Sequence, residues 1–311
     1  MATLTARISL KGDEPDGPED YLSTSLGVIF PDDIVNQHGD AEHSLLYASP
    51  KLPRTLLIEL ADPEGETDRR LFSHYLWNAS LLLAELIERD SLDDDEEEQD
   101  RGLGGDISFD TRGLHTLELG AGTALPSIMA GLLGAAGVVV TDYPAPAVMK
   151  TLRENVARNI KPDLAPVGKS SLVTTSILVE GHEWGVFDST SSAAFPSSHA
   201  HLSDRLFVAD CLWMPWQHEN LRRSIGFFLK KTAEARAWVV AGFHTGRAKM
   251  APFFDVKALR EEGGVEVERM WERDCDGVER EWDSEREDDI TERKRWLVVC
   301  VLKRCEGMVD V

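Results

Sequence analysis

The chain has 311 residues, with 33 Lys and Arg against 55 Asp and Glu, and a formal charge of −22. A field of this sign repels phosphate groups, so it argues against broad binding to nucleic acids or anionic membranes. The charge would favour a basic partner, and the alternative is that it only keeps the protein soluble. The four cysteines are too few for a disulfide scaffold, no two of them have the two-residue gap typical of zinc sites, and the polar N-terminus is unlike a signal peptide. We expect a protein of the cytoplasm, or of the nucleus.

The first part of the chain predicts a tail and an extension ahead of one large domain. Residues 1–20 are rich in Gly, Pro, Asp and Glu, which favours a flexible tail, and residues 21–311 are assigned to a single domain. The N-terminal extension of this domain, residues 21–74, contains short β-like stretches. Apolar residues at helical spacing then predict a helix over 75–89.

An acidic, glycine-containing loop is predicted over residues 90–112. Eight of the eleven residues from 90 to 100 are acidic, and like charges at this density repel one another and remain solvated. A surface loop is therefore the first interpretation, and a docking site for a basic partner is the alternative. A second insertion, the Ser-rich residues 189–203, is of low complexity and is predicted to be disordered.

From residue 115 onward, apolar strand patterns alternate with amphipathic helix patterns. The strand candidates are 115–119, 138–142, 172–178, 206–210 and 237–243. The helix candidates are 125–133, 145–159 and 217–231. Near-continuous apolar strands separated by helices predict a doubly wound α/β domain, in which helices cover both faces of a parallel sheet. Residues 265–271 and 295–302 have no apolar helix between them, which predicts a closing antiparallel pair.

Two glycines follow the first of these strands, in Glu118-Leu119-Gly120-Ala121-Gly122. Gly120 and Gly122 allow a tight turn and let a ligand lie against the backbone. Asp142 ends the next strand, where a carboxylate can accept hydrogen bonds from both hydroxyls of a ribose. The structural alternative is a glycine turn that only packs a helix on the sheet.

Two residues indicate which type of nucleotide the glycine loop would bind. A dinucleotide fingerprint requires a third glycine at the position of Leu125. Glu118 precedes the loop, where an anion repels a diphosphate but suits a cationic ligand with an amino group and a sulfonium. The pattern therefore favours a sulfonium nucleoside over a dinucleotide.

Four motifs in chain order carry a resemblance to a known family. They are Tyr75-Leu76-Trp77-Asn78, the glycine loop, Trp184-Gly185 and Ala209-Asp210-Cys211-Leu212-Trp213. With them, the chain from about residue 75 to 302 resembles the class I S-adenosylmethionine-dependent methyltransferases of the methyltransferase-like 21 and family 16 group. Within this group it is similar to the fungal nicotinamide N-methyltransferase-like branch, which includes elongation-factor-1A N-terminal and lysine methyltransferases. The resemblance implies a seven-stranded Rossmann-like sheet and S-adenosylmethionine as the cofactor.

The resemblance also implies roles for single residues. It places Trp77 near the methionine end of the cofactor, Trp184 beside the adenine and Asp142 at the ribose. The other expected cofactor contacts are Glu118, Gly120, Ala121, Gly122, Tyr143 and Ala209. The chain departs from the family at Ala124, often Gly in related enzymes, and at Trp213, where the lysine methyltransferases often carry the Tyr of an Asp-x-x-Tyr motif. The second departure concerns the substrate rather than the cofactor.

Methyl transfer from a sulfonium to an amine needs alignment and exclusion of water rather than a covalent nucleophile. Asp210, Trp213 and His244 follow the fourth and fifth strands and are predicted to act at the acceptor nitrogen. The structural alternatives are a plug at the sheet end for Trp213 and Trp216, and a hydrogen-bonded loop histidine for His244. No metal site is predicted, because the metal-like pair His199-x-His201 has no further ligand nearby.

Three functions are compatible with this pattern. The leading hypothesis is an S-adenosylmethionine-dependent N-methyltransferase acting on a lysine or N-terminal amine of a basic protein, for which the resemblance implies a translation elongation factor. The second is methylation of a small nitrogen compound such as nicotinamide. The third is a catalytically silent scaffold that binds a partner through the acidic loop. Intact Glu118, Gly120, Gly122, Asp142 and Asp210 argue against the third.

Overall fold

The computed structural model of the protein describes residues 3–11, 36–39, 43–61, 75–92, 102–188, 195–287 and 289–309. Its strands are β1 Ile8–Lys11, β2 Gln37–His38, β3 Ser44–Tyr47, β4 Leu56–Ile58, β5 Leu76–Trp77, β6 His115–Leu119, β7 Gly137–Asp142, β8 Ile177–Gly181, β9 Arg205–Ala209, β10 Arg236–Gly242, β11 Val265–Asp274, β12 Glu279–Glu281 and β13 Trp296–Arg304. The helices of six or more residues in these ranges are α1 Asn78–Leu92, α2 Leu125–Leu132, α3 Pro146–Asn159, α4 His218–Phe228 and α5 Ile290–Arg295. Across the same ranges, no helix is long and apolar enough to cross a bilayer.

One mostly parallel sheet of eight strands has the order β12-β11-β13-β10-β9-β6-β7-β8. The strands from β10 to β8 are parallel, whereas β13, β11 and β12 extend the β10 edge in antiparallel pairs. The order reverses at β6, which lies between β7 and β9, so a crevice opens there at the carboxyl ends of the strands. The predicted doubly wound sheet with its closing antiparallel pair is confirmed. The sheet has eight strands rather than the expected seven, because the short strand β12 pairs with β11 at the edge.

Side chains alternate between two covered faces along the central strands. Leu117 and Leu119 of β6 belong to the core beneath α4. Glu118, between them, points to the opposite face and contacts α2. That face also carries α1 and α3, with buried side chains such as Leu82 and Leu152. Each fully buried aliphatic side chain of this kind stabilises the fold by about 1.5–3 kcal/mol. The packed sheet therefore gives stable support to the residues at the carboxyl ends of its strands.

The prediction of a flexible tail over residues 1–20 is wrong for residues 3–11. This segment contains β1, which pairs with β3 in a separate three-stranded sheet, β1-β3-β4. Leu4 is buried, and Arg7 donates a 2.8 Å hydrogen bond to the buried carboxylate of Glu88 in α1. A tertiary ion pair, invisible in local composition, therefore orders the segment. The rest of the predicted tail lies outside the described residues.

The N-terminal extension positions the start of α1. β2 pairs with β5, so that Gln37 lies opposite Trp77. Because Trp77 belongs to this pair, α1 begins at Asn78, three residues after the start of the predicted helix. The extension thus fixes the backbone of a predicted site residue.

The predicted acidic loop, residues 90–112, begins inside a helix. Asp90 belongs to α1, is buried, and accepts a 2.6 Å hydrogen bond from the backbone N–H of Phe109. This bond connects the helix end to the segment that leads into β6. Residues 93–101, which hold most of the acids, lie outside the described residues.

The predicted disorder of the Ser-rich insertion, residues 189–203, is wrong for residues 195–203. Phe195 is buried and stacks on Phe228 of α4, with ring centroids 5.6 Å apart. One aromatic side chain thus docks a segment whose composition alone favours disorder. The remaining residues of the insertion, 189–194, lie outside the described part of the chain.

Candidate active site

A cleft of about 870 Å³, partly open to solvent, lies at the carboxyl ends of β6, β7 and β9. Open α/β sheets bind their ligands at this position, where the strand order reverses. The predicted site residues that line the cleft are Trp77, Gly120, Ala121, Gly122, Asp142, Tyr143, Trp184, Ala209, Asp210 and Trp213. Two predicted residues, Glu118 and His244, are not part of its wall.

The glycine loop after β6 has a left-handed backbone at two positions, since φ is 64° at Gly120 and 55° at Gly122. A Cβ at Gly120 would lie 2.7 Å from Cys211 Sγ and 2.9 Å from Trp184 Cζ2, so only glycine fits. A Cβ at Gly122 would meet no atom within 4 Å, which leaves the backbone open on the cleft side. Gly120 therefore permits close packing of Cys211 and Trp184, and Gly122 leaves the backbone accessible to a ligand.

Asp142 is joined to the glycine loop by backbone hydrogen bonds. Its Oδ2 accepts a bond of 2.7 Å from the Gly122 N–H, and its Oδ1 accepts one of 2.6 Å from the Tyr143 N–H. Burial raises the pKa of Asp142 to about 6. The carboxylate is thus fixed at the cleft with further acceptor capacity on both oxygens, as a ribose site requires.

Glu118 lies beneath the loop rather than in the cleft. Its side chain is fully buried, and its Oε2 accepts a 3.1 Å bond from the backbone N–H of Ser127 in the first turn of α2. Its Oε1 has no hydrogen-bond partner among the described residues. Burial raises the pKa of Glu118 to about 8. The expected direct contact with a ligand is replaced by support of the loop and the helix start.

We expect Glu118→Gln to change how stability depends on pH. The pKa of the carboxyl is about 8 in the folded protein and about 4.5 in an unfolded chain, so the folded state holds an extra proton between these values. The contribution of this carboxyl to the free energy of unfolding is fully present below pH 4.5 and decreases as the pH rises towards 8. Between pH 6 and pH 8 the wild type should lose about 2 kcal/mol more unfolding free energy than the glutamine variant.

Urea unfolding at the two pH values measures this difference. The exposed substitution Glu281→Gln is the matched control and should follow the wild type. Equal losses in the wild type and in Glu118→Gln would show that Glu118 is already ionised in the fold.

The side of the cleft predicted to hold the acceptor is built around Asp210, whose backbone is also left-handed, with φ 59°. Its Oδ1 accepts a 3.1 Å bond from the Gly242 N–H, and its Oδ2 lies 3.8 Å from His244 Nδ1. Burial raises the pKa of Asp210, although His244 acts in the opposite direction. The His244 ring stacks on Trp77, with centroids 4.6 Å apart. His244 therefore touches two cleft residues without lining the cleft itself.

Several lining residues were not predicted from the sequence: Tyr75, Ser80, Thr123, His182, Glu183, Cys211, Met214 and Gln217. Tyr75 and Cys211 lie inside the quoted motifs, and Thr123, Glu183 and Met214 directly adjoin a motif, so the motifs themselves could have indicated these five. His182 differs, because it is held from another element, its Nε2 lying 3.0 Å from Ser224 Oγ of α4. Burial lowers the pKa of His182 to about 4. No local signal marks that contact.

Comparisons with known proteins identify the family of this chain. A family model described as lysine methyltransferase matches residues 65–256. The protein N-terminal and lysine N-methyltransferase EFM7 of Gibberella zeae is 31% identical over 210 residues, which cover 66% of this chain and 70% of that protein. The protein of the same name from Schizosaccharomyces pombe is 28% identical over 207 residues, which cover 65% of this chain and 68% of that protein.

Solved structures share the fold at low sequence identity. A Streptococcus mutans protein described as an S-adenosylmethionine-dependent methyltransferase has a TM-score of 0.51 and 10% identity, and the match covers 92% of this chain and 65% of that one. SMU.776, described as a methyltransferase complexed with S-adenosylhomocysteine, has a TM-score of 0.50 and 12% identity, with the same coverage of 92% and 65%. This chain thus spans slightly less than two thirds of these two structures. The predicted resemblance is confirmed: the chain belongs to the lysine methyltransferase family, and its fold is that of the S-adenosylmethionine-dependent methyltransferases.

Proposed function

We propose that this chain transfers a methyl group from S-adenosylmethionine to an amine nitrogen of a protein. The main support is the charge of the cleft, because its described lining contains three carboxylates, Asp142, Glu183 and Asp210, and no Lys or Arg. The methyl donor carries a sulfonium and an amino group, and a protein amine is cationic in water. A cleft with this lining attracts both and repels acidic substrates.

The cleft fits the cofactor at the glycine loop. The open backbone at Gly122 gives room for a ligand to lie against the loop, and Asp142 beside it has lone pairs for the ribose hydroxyls. Trp184 packs over Gly120 and offers an aromatic face for the adenine. When bound, S-adenosylmethionine supplies a methyl group already activated on a sulfonium. The chain then has to align the acceptor and exclude water.

The acceptor amine must be neutral to react, and a lysine has a pKa of about 10.4 in water. Trp77 and Trp213 line the cleft with apolar surface, which lowers the pKa of an amine by desolvation. Asp210, fixed by the Gly242 N–H, would orient the nitrogen through its Oδ2. His244 stacks on Trp77 and would act as a positioning residue for Trp77 and Asp210.

The relatives named as protein N-terminal and lysine N-methyltransferases favour a lysine or an N-terminal amine as the acceptor here. A basic protein, with an elongation factor as the first candidate, fits the formal charge of −22. We place the reaction in the cytoplasm or the nucleus, where such targets occur. A small amine of the nicotinamide type is the second candidate, since the same cleft would admit it.

Adding a methyl group at Gly122 should obstruct the cofactor. Gly122→Ala places a Cβ in the open space of the cleft, so we expect S-adenosylhomocysteine to bind at least about tenfold more weakly, a loss of roughly 1.4 kcal/mol. The matched control is Gly113→Ala, since Gly113 also has a positive φ, 71°, and open space around a Cβ. Both variants carry the same left-handed strain of roughly 1–2 kcal/mol, and only one faces the cleft. Equal affinities by calorimetry would contradict the cofactor position.

The proposed function is tested with radiolabelled S-adenosylmethionine and a lysate of cells that lack this protein. Label should enter a basic protein, in lysine or at the N-terminus. Label in small molecules only would favour the nicotinamide-type reaction. A wild-type protein that fails to bind S-adenosylhomocysteine at high micromolar concentration would support the silent scaffold.

A further inference from the structure

An exposed tryptophan stands beside the cleft. Trp216 is 71% exposed and belongs to the short turn Pro215–Gln217 ahead of α4. Trp213 lines the cleft, and the two indole rings meet edge to face with centroids 6.3 Å apart. A residue that plugs the end of the sheet is buried, so this structural alternative is wrong for Trp216. Its position needs another explanation.

Hydrogen bonds fix the turn that carries Trp216. The backbone N–H of Gln217 donates a 2.9 Å bond to Met214 O, and the ring Nε2 of the buried His218 lies 2.9 Å from Leu212 O. The exposed indole is therefore presented by a fixed backbone. A preordered aromatic face loses little conformational entropy when a partner binds to it.

Two exposed carboxylates belong to the same cleft wall or to the helix that follows this aromatic pair. Glu183 is exposed and lines the same cleft, and Glu219 is exposed in the first turn of α4. The described cleft lining contributes no Lys or Arg. A cation over the face of an indole is attracted by the ring quadrupole, and neighbouring carboxylates add to that attraction.

We propose that Trp213 and Trp216 form a docking surface for a basic, extended segment of the protein substrate. A Lys or Arg side chain next to the target amine lies over the indole of Trp216, while the target amine enters the cleft past Trp213. Glu183 pairs with a second cationic group of the same segment. This surface rests on the proposed function, because it selects the protein chain around the acceptor nitrogen.

The test uses two synthetic peptides of equal length, each with one central lysine. One has arginines on both sides of that lysine, and the other has glutamines there. Each is titrated by calorimetry into the full chain saturated with S-adenosylhomocysteine. The variants are Trp216→Ala, Trp216→Phe and Trp216→Leu. The control is Val167→Ala, since Val167 is 90% exposed, lies between α3 and β8 and is not among the residues that line the cleft.

The wild type should bind the arginine peptide more tightly than the glutamine peptide. Trp216→Ala and Trp216→Leu should weaken the arginine peptide by roughly threefold to thirtyfold, whereas Trp216→Phe keeps most of the affinity and Val167→Ala keeps all of it. The glutamine peptide should be insensitive to all four substitutions.

Three results would overturn the docking surface. They are no binding of the arginine peptide to the wild type, unchanged binding in Trp216→Ala, and full affinity in Trp216→Leu, which would indicate an apolar partner. S-adenosylhomocysteine binding, measured first in the same calorimeter cell, distinguishes a failure of the proposed function from a failure of the docking surface. Its absence from the wild type contradicts the proposed function, whereas its presence beside any of these three results contradicts only the docking surface.

Discussion

Replacing Asp142 with alanine is expected to weaken S-adenosylhomocysteine binding by about 10- to 100-fold. The carboxylate lies at the end of β7 and is fixed by the N–H groups of Gly122 and Tyr143. Removal of a charge-assisted hydrogen bond to a ribose hydroxyl costs about 1.5–3 kcal/mol. The substitution also frees the Gly122 N–H from its acceptor, which adds to the loss. Isothermal titration calorimetry at pH 7.5, above the pKa of about 6, measures the effect.

The matched control for this prediction is Asp163→Ala. Asp163 is 60% exposed in its side chain and pairs only loosely with Arg54, at 3.6 Å. We expect its affinity to equal that of the wild type. Circular dichroism and a thermal melt confirm that Asp142→Ala is folded. A folded Asp142→Ala protein with wild-type affinity would show that this carboxylate does not hold the ribose.

Replacing Asp210 with asparagine is expected to lower turnover of a protein substrate by roughly 100-fold or more, while cofactor affinity stays within about threefold of the wild type. Asparagine tolerates the left-handed backbone at this position, where φ is 59°, and its amide oxygen can still accept the Gly242 N–H. The variant should therefore keep the fold and lose the negative charge that we propose orients the acceptor nitrogen. The result is a fall in kcat rather than in cofactor binding.

Labelled methyl transfer measures kcat for this variant, and calorimetry measures its cofactor affinity. His244→Gln is the companion variant, since His244 contacts Trp77 and Asp210 and is proposed to position both. We expect an intermediate loss of turnover for it. Wild-type turnover in Asp210→Asn would remove Asp210 from the acceptor site, and a parallel loss of cofactor affinity would assign it to the cofactor instead.

The sheet and the cofactor side of the cleft could be predicted because they depend on local patterns. The apolar run of β6 predicted its bounds, His115–Leu119, as they occur. The connectivity of a parallel α/β sheet then places the end of β7 beside the glycine loop, and Asp142 does contact Gly122. Such neighbours follow from strand order alone.

Residues whose positions depend on distant partners could not be predicted. His244 meets Trp77 from far along the chain, and Arg7 orders the first strand through Glu88 of α1. β8 begins at Ile177, five residues after the predicted start, because the Thr174 N–H bonds to Gly131 O instead of joining the sheet. These contacts carry no periodic signal.

Glu118 is a different case, because the face of the sheet to which its side chain points could have been deduced from the sequence. Side chains alternate along β6, so a residue between Leu117 and Leu119 must point to the opposite, covered face. Chemical complementarity to a cationic ligand placed Glu118 in the cleft, whereas strand geometry places it beneath the loop.

The most direct test of the cofactor site is a crystal structure of the chain with S-adenosylhomocysteine. The ligand should lie against the backbone of Gly120–Gly122, with both ribose hydroxyls within 3.2 Å of the Asp142 carboxylate and the adenine beside Trp184. Density for the ligand elsewhere, or a ribose with no contact to Asp142, would contradict the assignment of this cleft as the methyltransferase site.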